Sequence, residues 1–173
     1  MILQYKHLIP ENFHDTSRVW IYQANRNFSP GEVVNVQSIL QQFVSDWNSH
    51  GATVKGFATI IFDRFIVLMA DETGSGVSGC STDSSVRVIK NISEQCQIDL
   101  FDRTGMAFFI DDTVEVVPLI NLKEKFEDGM ITSQTFYFNN TIQNKSGLLN
   151  NWIIPAGESW LAKRFAGIAS IVS

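Results

Sequence analysis

Cysteine is scarce: Cys80 and Cys96 are the only two in 173 residues. A domain of this length holds an ordinary core and needs no covalent staple, so reduced thiols in a cytoplasm are expected rather than a disulfide. Positive charge is short too. Against 18 Asp and Glu stand 13 Lys and Arg, a net charge of −5. Gripping nucleic acid takes many phosphate-neutralising cations, and no basic block offsets the deficit, so neither nucleic acid nor an anionic membrane surface is an expected partner. Long apolar runs are missing as well: the most apolar stretch, residues 56–70, is broken by Asp63-Arg64 and is too short to span a bilayer. The first residues lack a basic region followed by an apolar stretch, so no signal peptide is expected. The three histidines, His7, His14 and His50, share no ligand spacing with the cysteines. No metal and no cofactor are therefore expected.

What is present reads as a globular chain, with 45% hydrophobic and 18% charged residues. No repeat or low-complexity linker divides it, so residues 1–173 are expected to form a single domain. After an irregular lead-in, the β-branched and aromatic run Arg18 to Gln23 predicts a strand. Ser29-Pro30-Gly31-Glu32 combines an N-cap, a proline at the first helical position and a capping-box glutamate. Val33, Val36, Leu40, Phe43 and Trp47 follow at helical spacing, with Gly51 suited to the C′ position. Residues 54–62 and 65–70 predict two strands about an Asp63-Arg64 turn. Both are apolar enough for burial on two faces. Thr82 or Asp83 is the expected cap of a second helix bearing Val86, Ile89, Ile92 and Cys96 on one side. Residues 106–110 and 114–117 predict a further hairpin about Asp111-Asp112, followed by shorter helical and extended pieces.

From residue 18 to 117 the order is strand, helix, strand, strand, helix, strand. That predicts an α+β fold with a ferredoxin-like (split βαβ) core, and residues 118–173 as a C-terminal extension. Fold alone assigns no activity.

The candidate site is the glycine-rich segment 74–85. Gly74-Ser75-Gly76-Val77-Ser78-Gly79 matches G-x-G-x-x-G, with Asp99 near the position of a ribose-binding acid. Two features argue against dinucleotide binding: a helix start delayed to Thr82 or Asp83, and a preceding strand that belongs to a hairpin. The same spacing approaches a P-loop, but Cys80 stands where that loop needs lysine, which argues against ATP hydrolysis. Two readings remain. In one, the glycines only turn the chain from strand to helix. In the other, free N–H groups along the segment bind a small anionic or polar ligand. Gly74, Gly76, Gly79, Ser81, Asp83, Ser84 and Arg87 then line the site, and Arg64 is a further anion partner. Asp83 and Arg87 are also spaced for an i,i+4 pair. Cys80, beside a helix start, is a candidate nucleophile, and the alternative is a small buried residue. Asp71, Glu72 and Asp83 read as solvated acids at the loop edges, the alternative being that they meet around the loop and bind a divalent cation.

Three stretches carry a resemblance: Ser17 to Gln23, Arg64 to Met69, and Ser78 to Ser85. They resemble a small family of uncharacterised bacterial proteins often labelled "ABC transporter ATPase", over roughly residues 8–165. The resemblance implies no activity and no catalytic residue, and the missing lysine conflicts with the label. The leading expectation is a cytoplasmic ligand- or protein-binding domain, and the alternative is a thiol-dependent enzyme using Cys80. Leu161, Phe165, Ile168 and Val172 form an apolar stripe that packs either on the chain's own sheet or on another copy, giving a monomer or a homodimer.

Overall fold

The structure, a computed structural model, describes residues 3–49, 51–74 and 79–164. The fold is α+β, with two antiparallel sheets, a short two-stranded ribbon and five helices among the described residues. The chain divides into two compact units. One comprises Tyr5–Asp102 and Thr141–Leu149, and the other is built on Arg103–Asn140 and the chain from Asn150.

The first unit carries β1 (Arg18–Gln23), α1 (Pro30–Asp46), the ribbon β2 (Asn48–Ser49) and β3 (Ala52–Thr53), β4 (Lys55–Ile61), β5 (Phe65–Asp71) and α2 (Gly79–Cys96). Its main sheet has the order β1-β5-β4, so β5 is inserted between the two strands that α1 connects. Residues 65–70 are completely buried, as their unbroken apolar character requires. Ala58, Ile60, Ile66 and Leu68 face Val36 and Leu40 of α1 and Ile89 and Ile92 of α2. The lead-in covers the other face. Phe13 packs edge-on against Phe57 with centroids 6.4 Å apart, and Tyr5 does the same with Phe62 at 6.2 Å. The Tyr5 hydroxyl donates to the Leu148 carbonyl at 2.6 Å, and burial pushes its pKa up to about 12.

Helix α1 starts as its sequence dictates. The Ser29 hydroxyl accepts from the Glu32 N–H while the Glu32 carboxylate accepts from the Ser29 N–H at 2.7 Å. Arg26 joins both helices, donating two hydrogen bonds to Glu32 at 2.9 and 2.8 Å and one to the Cys96 carbonyl at 2.7 Å. The end of α1 differs from expectation. Trp47 leaves the helix (ψ 115°) and buries its ring, and Gly51 (φ 81°) sits in the β2–β3 turn instead of capping the helix. The β4–β5 turn also takes in Phe62, which joins Asp63 at positive φ.

The second unit holds β6 (Gly105–Ile110), β7 (Thr113–Pro118), α3 (Leu122–Glu127), β8 (Phe136–Phe138), β9 (Ile153–Pro155) and α5 (Trp160–Arg164). Helix α4 (Lys145–Asn151) precedes β9. Its sheet order is β7-β6-β8-β9. Asp111 and Asp112 form the expected tight turn, both at positive φ as a two-residue hairpin demands. Phe108, Leu122, Ile131, Tyr137 and Leu161 make its core. Strand β6, the fourth in the expected order, therefore pairs with β7 and β8 and not with β1.

Gly56 is where packing is tightest. A Cβ there would lie 2.6 Å from the Trp47 ring. Gly56→Ala is expected to lower stability by about 1–3 kcal/mol through overpacking. Gly31→Ala, whose Cβ meets nothing within 4 Å in the first turn of α1, should raise it by about 0.5–1 kcal/mol. Urea unfolding of the two variants checks both signs.

Candidate functional site

The glycine segment leaves the sheet where β5 ends. Antiparallel pairing sets Arg18 of β1 opposite Ala70 and Lys55 of β4 opposite Asp71, so a cation flanks the exit on each side. On the Lys55 side the chemistry is closed. Asp71 is 8% exposed, and its Oδ1 accepts from the Thr73 hydroxyl at 2.7 Å and the Thr73 N–H at 3.1 Å. Oδ2 lies 3.1 Å from the Lys55 ammonium. These bonds, the Thr73 hydroxyl's first, hold the Asp71 carboxyl well below the usual range against the opposing effect of burial, with the His14 N–H adding to them. Lys55 also donates to the Asn12 carbonyl and lies 4.7 Å above the Phe13 ring.

The Arg18 side is open. Its guanidinium lies 3.7 Å from Glu72 and 5.2 Å from the Trp20 ring centroid, with both charged side chains at least 40% exposed. They border a groove of about 390 Å³ completed by Thr16, Gln143 and Asn144.

Helix α2 begins at Gly79, three residues before the expected cap. Thr82 and Asp83 lie inside it, and the buried Ser85 hydroxyl donates back to the Thr82 carbonyl at 2.7 Å. The delayed start thus no longer argues against dinucleotide binding. The strand argument stands, since both neighbours of β5 run antiparallel to it. Asp99 also uses its carboxylate locally, accepting from the N–H groups of Phe101 at 2.8 Å and Asp102 at 3.0 Å.

Gly74 is exposed at the segment's start. Gly76 and the side chains of Cys80 and Ser81 lie outside the described residues, so their readings rest on sequence alone. Ser84, Arg87 and Asn91 share one face of α2 and border a second groove, of about 460 Å³, with Phe43, Asp46, Trp47 and Asn48. The expected Asp83–Arg87 pair does not form, and Arg87 has no ion-pair partner among the described residues. Arg64 is not at the site. It donates to Asn27 at 2.6 Å and to the Ala24 carbonyl at 3.2 Å beside the β4–β5 turn. Seven residues of β5 at about 3.3 Å each place it roughly 20 Å from the segment. Arg18 is the cation that sequence reasoning missed; only the register of β1 on β5 reveals it.

Among the described residues no group of three His, Cys, Asp or Glu side chains is placed to hold a metal ion, and no helix is long and apolar enough to cross a membrane. No protein-family model, curated protein or solved structure matches the chain.

Asp71 gives the site its pH dependence. With its folded pKa below the unfolded value of about 3.9, it stabilises the fold above that pH, and the contribution fades as pH falls towards the folded pKa. Asp71→Asn should cost about 1–3 kcal/mol at pH 7 by weakening the bonds to Thr73 and Lys55. In urea unfolding, the gap between variant and parent should narrow below about pH 3.9.

Proposed function

We propose that this chain is a cytoplasmic binding domain that takes a small anionic or polar ligand along residues 74–85 and in the groove behind them. The observation that supports the reading is Arg87. An exposed guanidinium without an ion-pair partner among the described residues shares a groove with Ser84, Asn48 and Asn91, bordered by the half-buried Phe43, the buried Trp47 and Asp46. Such a set supplies charge-assisted donors and a flat apolar contact for one ligand. The start of α2 adds a preference for negative charge of about 0.3–1 kcal/mol, which Asp83 opposes. The order β1-β5-β4 under two helices supports reading the first unit as a split βαβ, ferredoxin-like core that has surrendered its fourth strand to the second sheet.

A thermal-shift panel of inorganic phosphate, sugar phosphates and nucleotides with and without magnesium tests this. At least one anion should raise the midpoint, and Arg87→Ala should remove most of the shift. A panel without effect, or a shift untouched by Arg87→Ala, removes the reading. A specific response to ATP with magnesium would revive the ATPase label.

The early start of α2 favours one second reading. Cys80 falls in the first helical turn, where backbone N–H groups stabilise a thiolate, as a thiol enzyme supported by Ser81 or Asp83 needs. Cys96, by contrast, is buried, and burial pushes its thiol pKa up. Iodoacetamide at neutral pH should then label Cys80 much faster than Cys96. Equally slow labelling removes the enzyme reading.

A further inference from the structure

We propose that the groove beside Arg18 is a second binding site, specific for a free α-amino acid or a zwitterion of the same charge spacing. Its walls are fixed by the fold. Arg18 and Trp20 belong to β1, and Gln143 and Asn144 are fastened along the edge of that strand: the Val19 N–H donates to the Gln143 carbonyl and the Lys145 N–H to the Ser17 carbonyl, each at 2.9 Å. The buried Lys145 ammonium locks the strip further, donating to the carbonyls of Glu11 at 3.0 Å and Phe13 at 2.7 Å. The volume, about 390 Å³, lies within the range of roughly 300–1,000 Å³ typical of small-molecule pockets.

The polar groups in this frame are underused. Arg18 and Glu72 meet through one contact of 3.7 Å, both half exposed, and an ion pair of that kind contributes little and opens easily. The remaining guanidinium donors and the Gln143 side-chain amide have no partner among the described residues. Asn144 accepts from the Gly147 N–H at 2.8 Å through Oδ1, which leaves its NH₂ group available. The Thr16 hydroxyl is held by the His14 ring at 2.8 Å.

Charge decides the class of ligand. A simple anion on Arg18 would sit against the Glu72 carboxylate, and a simple cation on Glu72 would face Arg18. A molecule carrying carboxylate and ammonium on one carbon replaces the pair without stranding either charge. Its carboxylate matches the guanidinium fork, with Gln143 and Asn144 as further donors, and its ammonium meets Glu72. The Trp20 ring, half buried beneath Arg18, offers an apolar surface for the side chain. A peptide terminus presents only one of the two charges, so the free amino acid is the better fit.

The experiment is isothermal titration of the full chain with a panel of free α-amino acids at millimolar concentration, with acetate, methylamine and an N-acetyl amino-acid amide as controls. At least one amino acid should bind, and the controls should not. Arg18→Gln and Glu72→Gln should each weaken binding by about 10- to 100-fold, the loss of one charge-assisted hydrogen bond. Arg87→Ala should leave it unchanged, which separates this site from the groove on α2. If Arg18→Gln fails to fold by circular dichroism, Glu72→Gln, an exposed residue at a strand end, decides alone. Failure of every amino acid to bind, acetate binding as tightly as an amino acid, or affinity unaffected by Glu72→Gln overturns the proposal.

Discussion

The Trp47 ring lies directly on the backbone of Gly56, and much of the first unit follows from that contact. Trp47 is 1% exposed, and no other residue type at position 56 leaves room for it. To reach the sheet, the chain must leave the helix at Trp47, which ends α1 at Asp46 and starts the β2–β3 ribbon. Once seated, the ring touches Phe43 with centroids 4.8 Å apart and Trp20 at 6.0 Å. A single apolar anchor thus sets the length of a helix, starts a ribbon and floors the groove on α2.

The opposite face of the sheet is closed by polar means as much as apolar ones. Residues 5–17 form almost no regular structure, yet they are tied down by Lys55 on Asn12 and Lys145 on Glu11 and Phe13. Backbone carbonyls outside helices and strands need donors when they approach a core, and two lysine ammonium groups supply them. Apolar contacts of Tyr5, Ile9 and Phe13 then give the segment its burial. Asp71 completes the arrangement by holding Lys55 and Thr73 through its two carboxylate oxygens, which ties down the exit from β5 as far as Thr73.

Local signals in the sequence carried the elements well. The Ser29 capping box, the Asp111-Asp112 turn and the apolar runs around residue 63 each specify their structure within a few residues. Three things were not legible. The end of α1 depends on Gly56, nine positions beyond Trp47, and helical spacing alone assigns Trp47 to the stripe. The start of α2 carries no strong stop signal, so Thr82 and Asp83 read as caps although Gly79 begins the helix. The departure of β6 into another sheet is a choice of pairing partner, and a hairpin pattern is silent about which strand lies outside it. The site suffered from the same blindness to register. Arg64 precedes β5 and looks close to the segment that follows it, but a strand separates its two ends by its full length. Arg18, far away in sequence, is close because β1 runs antiparallel to β5.

That register gives the glycine segment two different neighbours. At its start, Glu72 faces Arg18 in a groove whose charges nearly cancel. Past its end, Arg87 stands in a groove where its positive charge lacks an ion-pair partner among the described residues, with Asp46 on the border. Each groove thus holds one charge of either sign, and they differ in pairing: Arg18 and Glu72 meet at 3.7 Å, whereas Arg87 and Asp46 form no ion pair. Trp20 and Trp47 join them beneath the surface, one ring lining each groove and the two in contact at 6.0 Å. Because Trp47 is held on Gly56, a shift of the Trp20 ring must be taken up by Arg18 or by the solvent side of its groove. Close packing leaves it no other direction.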